Sequence, residues 1–210
     1  MKTYLPIWIA LLIAAVAAVF VSESVSPDVR STMMEEGGWI ETASWISYFV
    51  AAAFVLIQLM RFPNRWSMLV CTMLLGMREL DFDKRFTTMG IFKSRFYSSS
   101  DVPITEKLIA LVVTAAVVAA LFFLVKHHLK PFFKRVRARS GASCSVFLAG
   151  GLMVFAKSID GLSRKLEPFG IEPSDATNRI VGSVEECFEL VAALLIVVGA
   201  VGALRLNRSK

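Results

Sequence analysis

Acidic side chains cluster at, or just inside, the ends of the apolar segments, at spacings that let them act together. Glu79 and Asp83 are four residues apart, as are Glu185 and Glu189, and Glu186 is three from Glu189. On a helix, residues three or four apart share a face. Glu41 and Glu189 lie past the start of an apolar run, where an ionisable group is costly unless it is paired or faces a polar cavity. Carboxylates without histidine or cysteine suit hard cations such as Mg²⁺, Ca²⁺ or Mn²⁺. The expected metal set is Glu79, Asp83 and Glu186. Interleaved with Arg78, Arg85 and Lys157, and with Asp160 three residues after Lys157, the same carboxylates suit a zwitterionic or phosphorylated head group, because arginine grips phosphate through two parallel hydrogen bonds. A reaction would need one carboxylate as general acid or base, and Glu41 and Glu189 are the best-placed candidates. Two plainer readings compete. First-turn carboxylates stabilise helix starts through the dipole, and mixed charges can form a salt-bridged rim without a ligand.

The elements that must position these groups are membrane helices. The chain has 210 residues, 56% of them hydrophobic, and a mean hydropathy of +0.62. A soluble domain is about 45–50% apolar. The excess falls in six blocks, residues 4–21, 39–60, 66–80, 108–125, 142–159 and 187–206, most of them near the ~20 residues that cross a bilayer as a helix. The third is the weakest, and a re-entrant segment is its alternative. The first has the basic start of a signal peptide, but Phe20 and Val21 stand where a small-residue cleavage site belongs, so an uncleaved helix is expected. The fold class is all-α, a polytopic transmembrane bundle of about six spans forming one integral domain over residues 1–210.

Charge orients the bundle. With the N-terminus inside, the inner segments hold Lys2, Arg61, Arg65, Lys126, Lys130, Lys134, Arg135, Arg137, Arg139, Arg205, Arg208 and Lys210, and no acid. All seventeen acids fall in outer loops or at outer span ends. Lysine and arginine bias sets topology, so both termini are expected in the cytoplasm. A short compact chain of this kind is expected in a bacterial inner membrane. The net charge of +6 is then a positive-inside signature that also favours anionic lipid head groups, not a nucleic-acid footprint. His127 and His128 are the only histidines and, as helix neighbours, point about 100° apart, so neither a metal site nor haem is expected. Cys71, Cys144 and Cys187 show no metal or disulfide spacing. GxSxG, GxxxxGK[ST] and HExxH are absent, and the "GASCS" at 141–145 has no histidine partner on its side.

The loop "DFDKRFTTMGIFKSRFYSSSD" sets Phe82, Phe86, Met89, Phe92 and Phe96 on one helical arc, with Ile91 opposite. An interfacial helix is expected there. "GG" at 150–151 and "GAVG" at 199–202 suit close helix packing.

The pair "EEGGWIE" and "RELDFDKRFT" resembles patterns of bacterial polytopic inner-membrane proteins without an assigned activity, over about 50 residues. Glutamate-flanked helix starts are also loosely similar to ceramidase-like hydrolases. Those need zinc-binding histidines that this chain lacks, so their mechanism is not implied. The function expected from the residues is therefore binding of a lipid head group or hard divalent cation at an outer, charged site, with modification of that lipid left open. The alternatives are a proton- or cation-coupled transporter and a non-catalytic subunit that meets a membrane-protein partner through a salt-bridged rim.

Overall fold

The structure is a computed structural model that describes residues 4–34 and 37–208, with the side chains of Asp83, Lys84 and residues 206–208 outside the description. Glu35 and Glu36 also lie outside the described residues. The helices are α1 (Leu5–Ser24), α2 (Pro27–Met34), α3 (Trp39–Leu59), α4 (Trp66–Glu79), α5 (Phe82–Phe86), α6 (Ser94–Ser98), α7 (Ile104–Leu124), α8 (Lys130–Arg137), α9 (Gly141–Ile159), α10 (Leu162–Leu166) and α11 (Asp175–Arg208). Among the described residues there are five helical stretches long and apolar enough to cross a membrane: α1, α2 with α3, α7 with α8, α9, and α11. The chain is a multi-pass membrane protein.

The expected third span is not among the five. α4 has 14 residues, about 21 Å at 1.5 Å per residue, against a hydrocarbon core of about 30 Å. Pro63 opens a 3₁₀ turn before it, and Asp81, in the left-handed region at φ 46°, turns the chain after it. Two other elements exceed their apolar blocks. α11 begins at Asp175, twelve residues before the expected start at 187. α7 runs through a π-helical turn, Val125–Leu129, into α8. Pro131 accounts for the π turn: it has no N–H and its ring clashes with the carbonyl one turn back, and a π-bulge is one way a helix absorbs this.

α11 is the central helix, packed against α9, α3 and α1. Ala15, Ala149, Cys187, Val191, Ala192 and Leu195 form the main buried cluster. Small residues carry the closest approach: a methyl group on Gly199 would meet Val146 Cγ2 at 2.5 Å and the Ala142 carbonyl at 3.1 Å. This is the small-residue packing expected of the 199–202 stretch where lipid supplies no hydrophobic drive, whereas Gly150 and Gly151 border open space and do not pack closely. Polar ties cross the bundle at intervals. Trp8 Nε1 donates to Ser145 Oγ at 2.8 Å, and Gln58 Nε2 donates to the Ala200 carbonyl at 3.0 Å. Ser145 of the "GASCS" stretch is thereby a structural hydroxyl, fully buried.

The expected interfacial helix over residues 82–96 does not form. Two one-turn helices, α5 and α6, flank a bend. Ile91 and Phe96 are buried together with Val102 and Ala110, whereas Phe82, Phe86 and Phe92 are exposed. Periodicity placed Ile91 on the wrong side because Gly90 and the turn around it interrupt the helical register. Charge separates along the bundle axis. His128 meets the Asn64 carbonyl at 2.9 Å, and Gly141 and Gly202 approach Tyr4, so the basic segments gather at one end. Glu79, Asp160, Glu185 and Glu189 meet at the other, around Arg78 and Lys157.

Candidate functional site

The acid-bearing end converges on Glu189. α4 reaches it because Gly76 lets α3 come close: a methyl group there would lie 3.2 Å from the Phe49 ring and 3.3 Å from Tyr48 Cβ. Three residues on, at the end of α4, stand Arg78 and Glu79. Arg78 Nη2 donates to Glu189 Oε1 at 2.8 Å and sits 3.7 Å from Glu79 Oε1. From α9, Lys157 Nζ reaches Asp160 at 3.0 Å, Glu185 at 3.2 Å and Glu189 at 3.4 Å. Lys157 lies in the last turn of α9, where the helix dipole favours a cation. Glu189 thus bridges two cations delivered by two helices.

The buried members set the energetics. The Glu79 and Glu189 side chains are 6% and 9% exposed, the Arg78 and Lys157 side chains 41% and 44%. Glu79 Oε1 is fully buried and accepts no hydrogen bond. Burying a carboxylate costs several kcal/mol unless partners satisfy it. Glu186 is half-buried beside Glu189, Glu185, Glu41 and Glu79, and has no hydrogen bond or ion pair among the described residues. Among the described residues, Arg78 and Lys157 make the ion pairs to Glu79, Asp160, Glu185 and Glu189, and Arg164 and Lys165 act on Asp160 at longer range, so the carboxylates of Glu41, Glu79, Asp160, Glu185, Glu186 and Glu189 outnumber the cations around them. At the rim, Lys157 holds the Asp160 carboxyl below its ordinary range, chiefly through their hydrogen bond.

Several expected residues are thus brought together: Arg78, Glu79, Lys157, Asp160, Glu186 and Glu189. Glu41 lies within electrostatic range of Glu79 and Glu186, but its carboxylate accepts from the Gly37 N–H just before α3. Arg85 is not brought in. It is exposed on α5, because the left-handed turn at Asp81 sends that helix away from α4. The side chain of Asp83 lies outside the described residues, and among those described no three His, Cys, Asp or Glu side chains gather to hold a metal ion. The helix-start explanation fails for Glu185, Glu186 and Glu189. α11 starts at Asp175, ten or more residues upstream, and the dipole effect fades within the first turn.

One contributor was missed. Tyr48, 1% exposed, lies within electrostatic range of Glu79, Arg78 and Glu189. Its signal was the spacing of Glu41, Ser44 and Tyr48 on one face of α3. Glu185, noted for its spacing from Glu189 but not placed among the expected ligands, takes a lysine contact. A second polar junction lies earlier along α11. Arg30 Nη2 donates to the Arg179 carbonyl at 2.8 Å and to Ser183 Oγ at 3.0 Å, and its Nε lies 3.3 Å from Glu23. A cavity of about 360 Å³ adjoins it, between Pro27, Ser31, Met34 and Gly182.

Comparison with protein-family models, curated proteins and solved structures finds no match for this chain. The geometry is therefore what bears on function.

Proposed function

We propose that this is a six-span protein of the bacterial inner membrane with both ends in the cytoplasm. Its periplasm-facing end binds a cationic group, either the amine of a lipid head group or a hard divalent cation. The gathering of basic segments at one end supports the orientation, since lysine and arginine bias sets topology. α4 is the sixth crossing on this reading. Its short length fits a local thinning of the bilayer, which costs only fractions of a kcal/mol per Å of mismatch.

The observation that carries the ligand class is Glu79: a buried carboxylate oxygen without a hydrogen-bond donor, in a cluster where carboxylates outnumber cations. A bound cation would supply the missing partner. A phosphate is a poorer fit, because Arg78 and Lys157 are already committed to carboxylates at 2.8–3.4 Å. If the bound lipid is also modified, Glu186, which has no ion pair among the described residues, is freer to carry a proton than Glu189, which pairs with Arg78 and Lys157. Transport is the weaker reading. Ala51, Val55 and Ala200 form an apolar layer between Tyr48 and Gln58, and the buried Ser44, Ser47 and Thr72 hydroxyls are spent on carbonyls of their own helices.

The test is native mass spectrometry of the protein extracted with its own lipids, with metal analysis of the same sample, on the wild type and Glu79→Gln. The expected result is a stoichiometric amine-bearing lipid or divalent ion that is lost in Glu79→Gln. A folded wild-type protein that carries neither would refute the binding site and point to a salt-bridged rim facing a protein partner.

A further inference from the structure

The opposite, basic end carries a groove that the cation site does not use. The α7–α8 stretch, Ile104–Arg137, has 34 residues, about 51 Å of helix. That exceeds the ~40–45 Å of a bilayer with its head groups, so α8 lies at head-group level or beyond. Along it runs an open groove of about 560 Å³, lined by an apolar stripe of Val125, Leu129 and Phe133 and a basic stripe of Lys130, Lys134 and Arg137. The apolar residues are spaced i, i+4, i+8 and stay 43–52% exposed. The basic residues are spaced i, i+4, i+7. The π turn at Val125–Leu129 inserts one residue into the helical register, a rotation of about 100°. It therefore sets how the two stripes adjoin.

This positive charge has no internal counterpart. No Asp or Glu occurs from Lys107 to Ile159. The segment before α4 adds another cation, since Arg65 lies within electrostatic range of Arg135 and is held below its ordinary value, first by burial and then by that like charge. An apolar wall that meets a row of uncompensated cations at head-group depth has the chemistry of one kind of ligand.

We propose that this groove seats an anionic phospholipid, with an acyl chain along Val125, Leu129 and Phe133 and the phosphate among Lys130, Lys134 and Arg137. Charge complementarity selects the lipid class: each cation near the surface contributes roughly fivefold to the preference for an anionic head group, and the three together on the order of 100-fold.

The full chain is reconstituted in nanodiscs of phosphatidylcholine doped with phosphatidylglycerol, and the lipids retained after extraction are counted by native mass spectrometry. The wild type is expected to hold one phosphatidylglycerol in preference to phosphatidylcholine. The triple variant K130Q/K134Q/R137Q is expected to lose that preference, and Arg205→Gln, at the same end but outside the groove, to keep it. Because the three substituted heads are exposed, the variant is expected to fold, which circular dichroism checks. Retention of phosphatidylglycerol by the folded triple variant would overturn the proposal. So would equal retention of phosphatidylcholine by the wild type, or an equal loss in Arg205→Gln.

Discussion

Glu79→Gln should make the ligand-free protein more stable while it abolishes binding. Arg78 Nη2 lies 3.7 Å from Glu79 Oε1, a gross attraction of about 4.5 kcal/mol at an effective dielectric of about 20. Arg78 is 41% exposed and closer to Glu189, at 2.8 Å, so solvent screening and sharing reduce that attraction to a fraction. Two terms oppose it. The Oε1 atoms of Glu79 and Glu189, sharing one Nη2 neighbour, lie no more than about 6.5 Å apart. Their repulsion is then at least ~2.5 kcal/mol on the same scale. Desolvation of the buried carboxylate adds several kcal/mol. The amide removes both and keeps the shape, so a net gain of about 1–2 kcal/mol follows. For a chain of this size that is a rise in Tm of roughly 2–8 °C. The assay is thermal unfolding in detergent by circular dichroism, on protein stripped of lipid and metal and confirmed so by mass. A fall in Tm of similar size would refute the reasoning, because it would mean Glu79 is a structural partner of Arg78.

The remaining predictions concern what holds the site together. Lys157→Met leaves three carboxylates without their shared cation; after the discount for exposure of the lysine, a loss of about 1–3 kcal/mol is expected in chemical denaturation. Asp160 is held below its ordinary range, so its contribution is present above the usual carboxylate range and lost as pH falls through the lowered folded value. Asp160→Asn should therefore flatten the acid side of the Tm-versus-pH curve below about pH 4, and an unchanged curve would remove Asp160 from the ion-pair set. Gly76→Val puts a branched side chain against Phe49 and Tyr48 at ~3.2 Å. It should cost about 1–3 kcal/mol as overpacking and should weaken ligand retention more than Gly76→Ala does, as native mass spectrometry would register.

The chain sequence by itself determined the membrane class and most of the long helices. Each depends on local composition: an apolar run of ~20 residues must be buried in lipid with its backbone bonds satisfied internally, whatever surrounds it. It also determined which charged residues were worth watching, since an ionisable group inside an apolar run demands a partner. It could not determine the partners. That Glu189 joins Arg78 of α4 to Lys157 of α9 depends on contacts between residues over thirty and over a hundred positions apart. Tyr48 looked like one aromatic among many until Gly76 brought α4 against it. The true start of α11 at Asp175, within a polar stretch that hydropathy reads as loop, changed Glu185, Glu186 and Glu189 from helix-start residues into mid-helix carboxylates. Likewise the loop after α4 carried a helical period, but Gly90 and the burial of Ile91 and Phe96 against Val102 and Ala110 overrode it. Local pattern records how each segment meets lipid or water. Only packing decides which segments meet each other, and the site is made of those meetings.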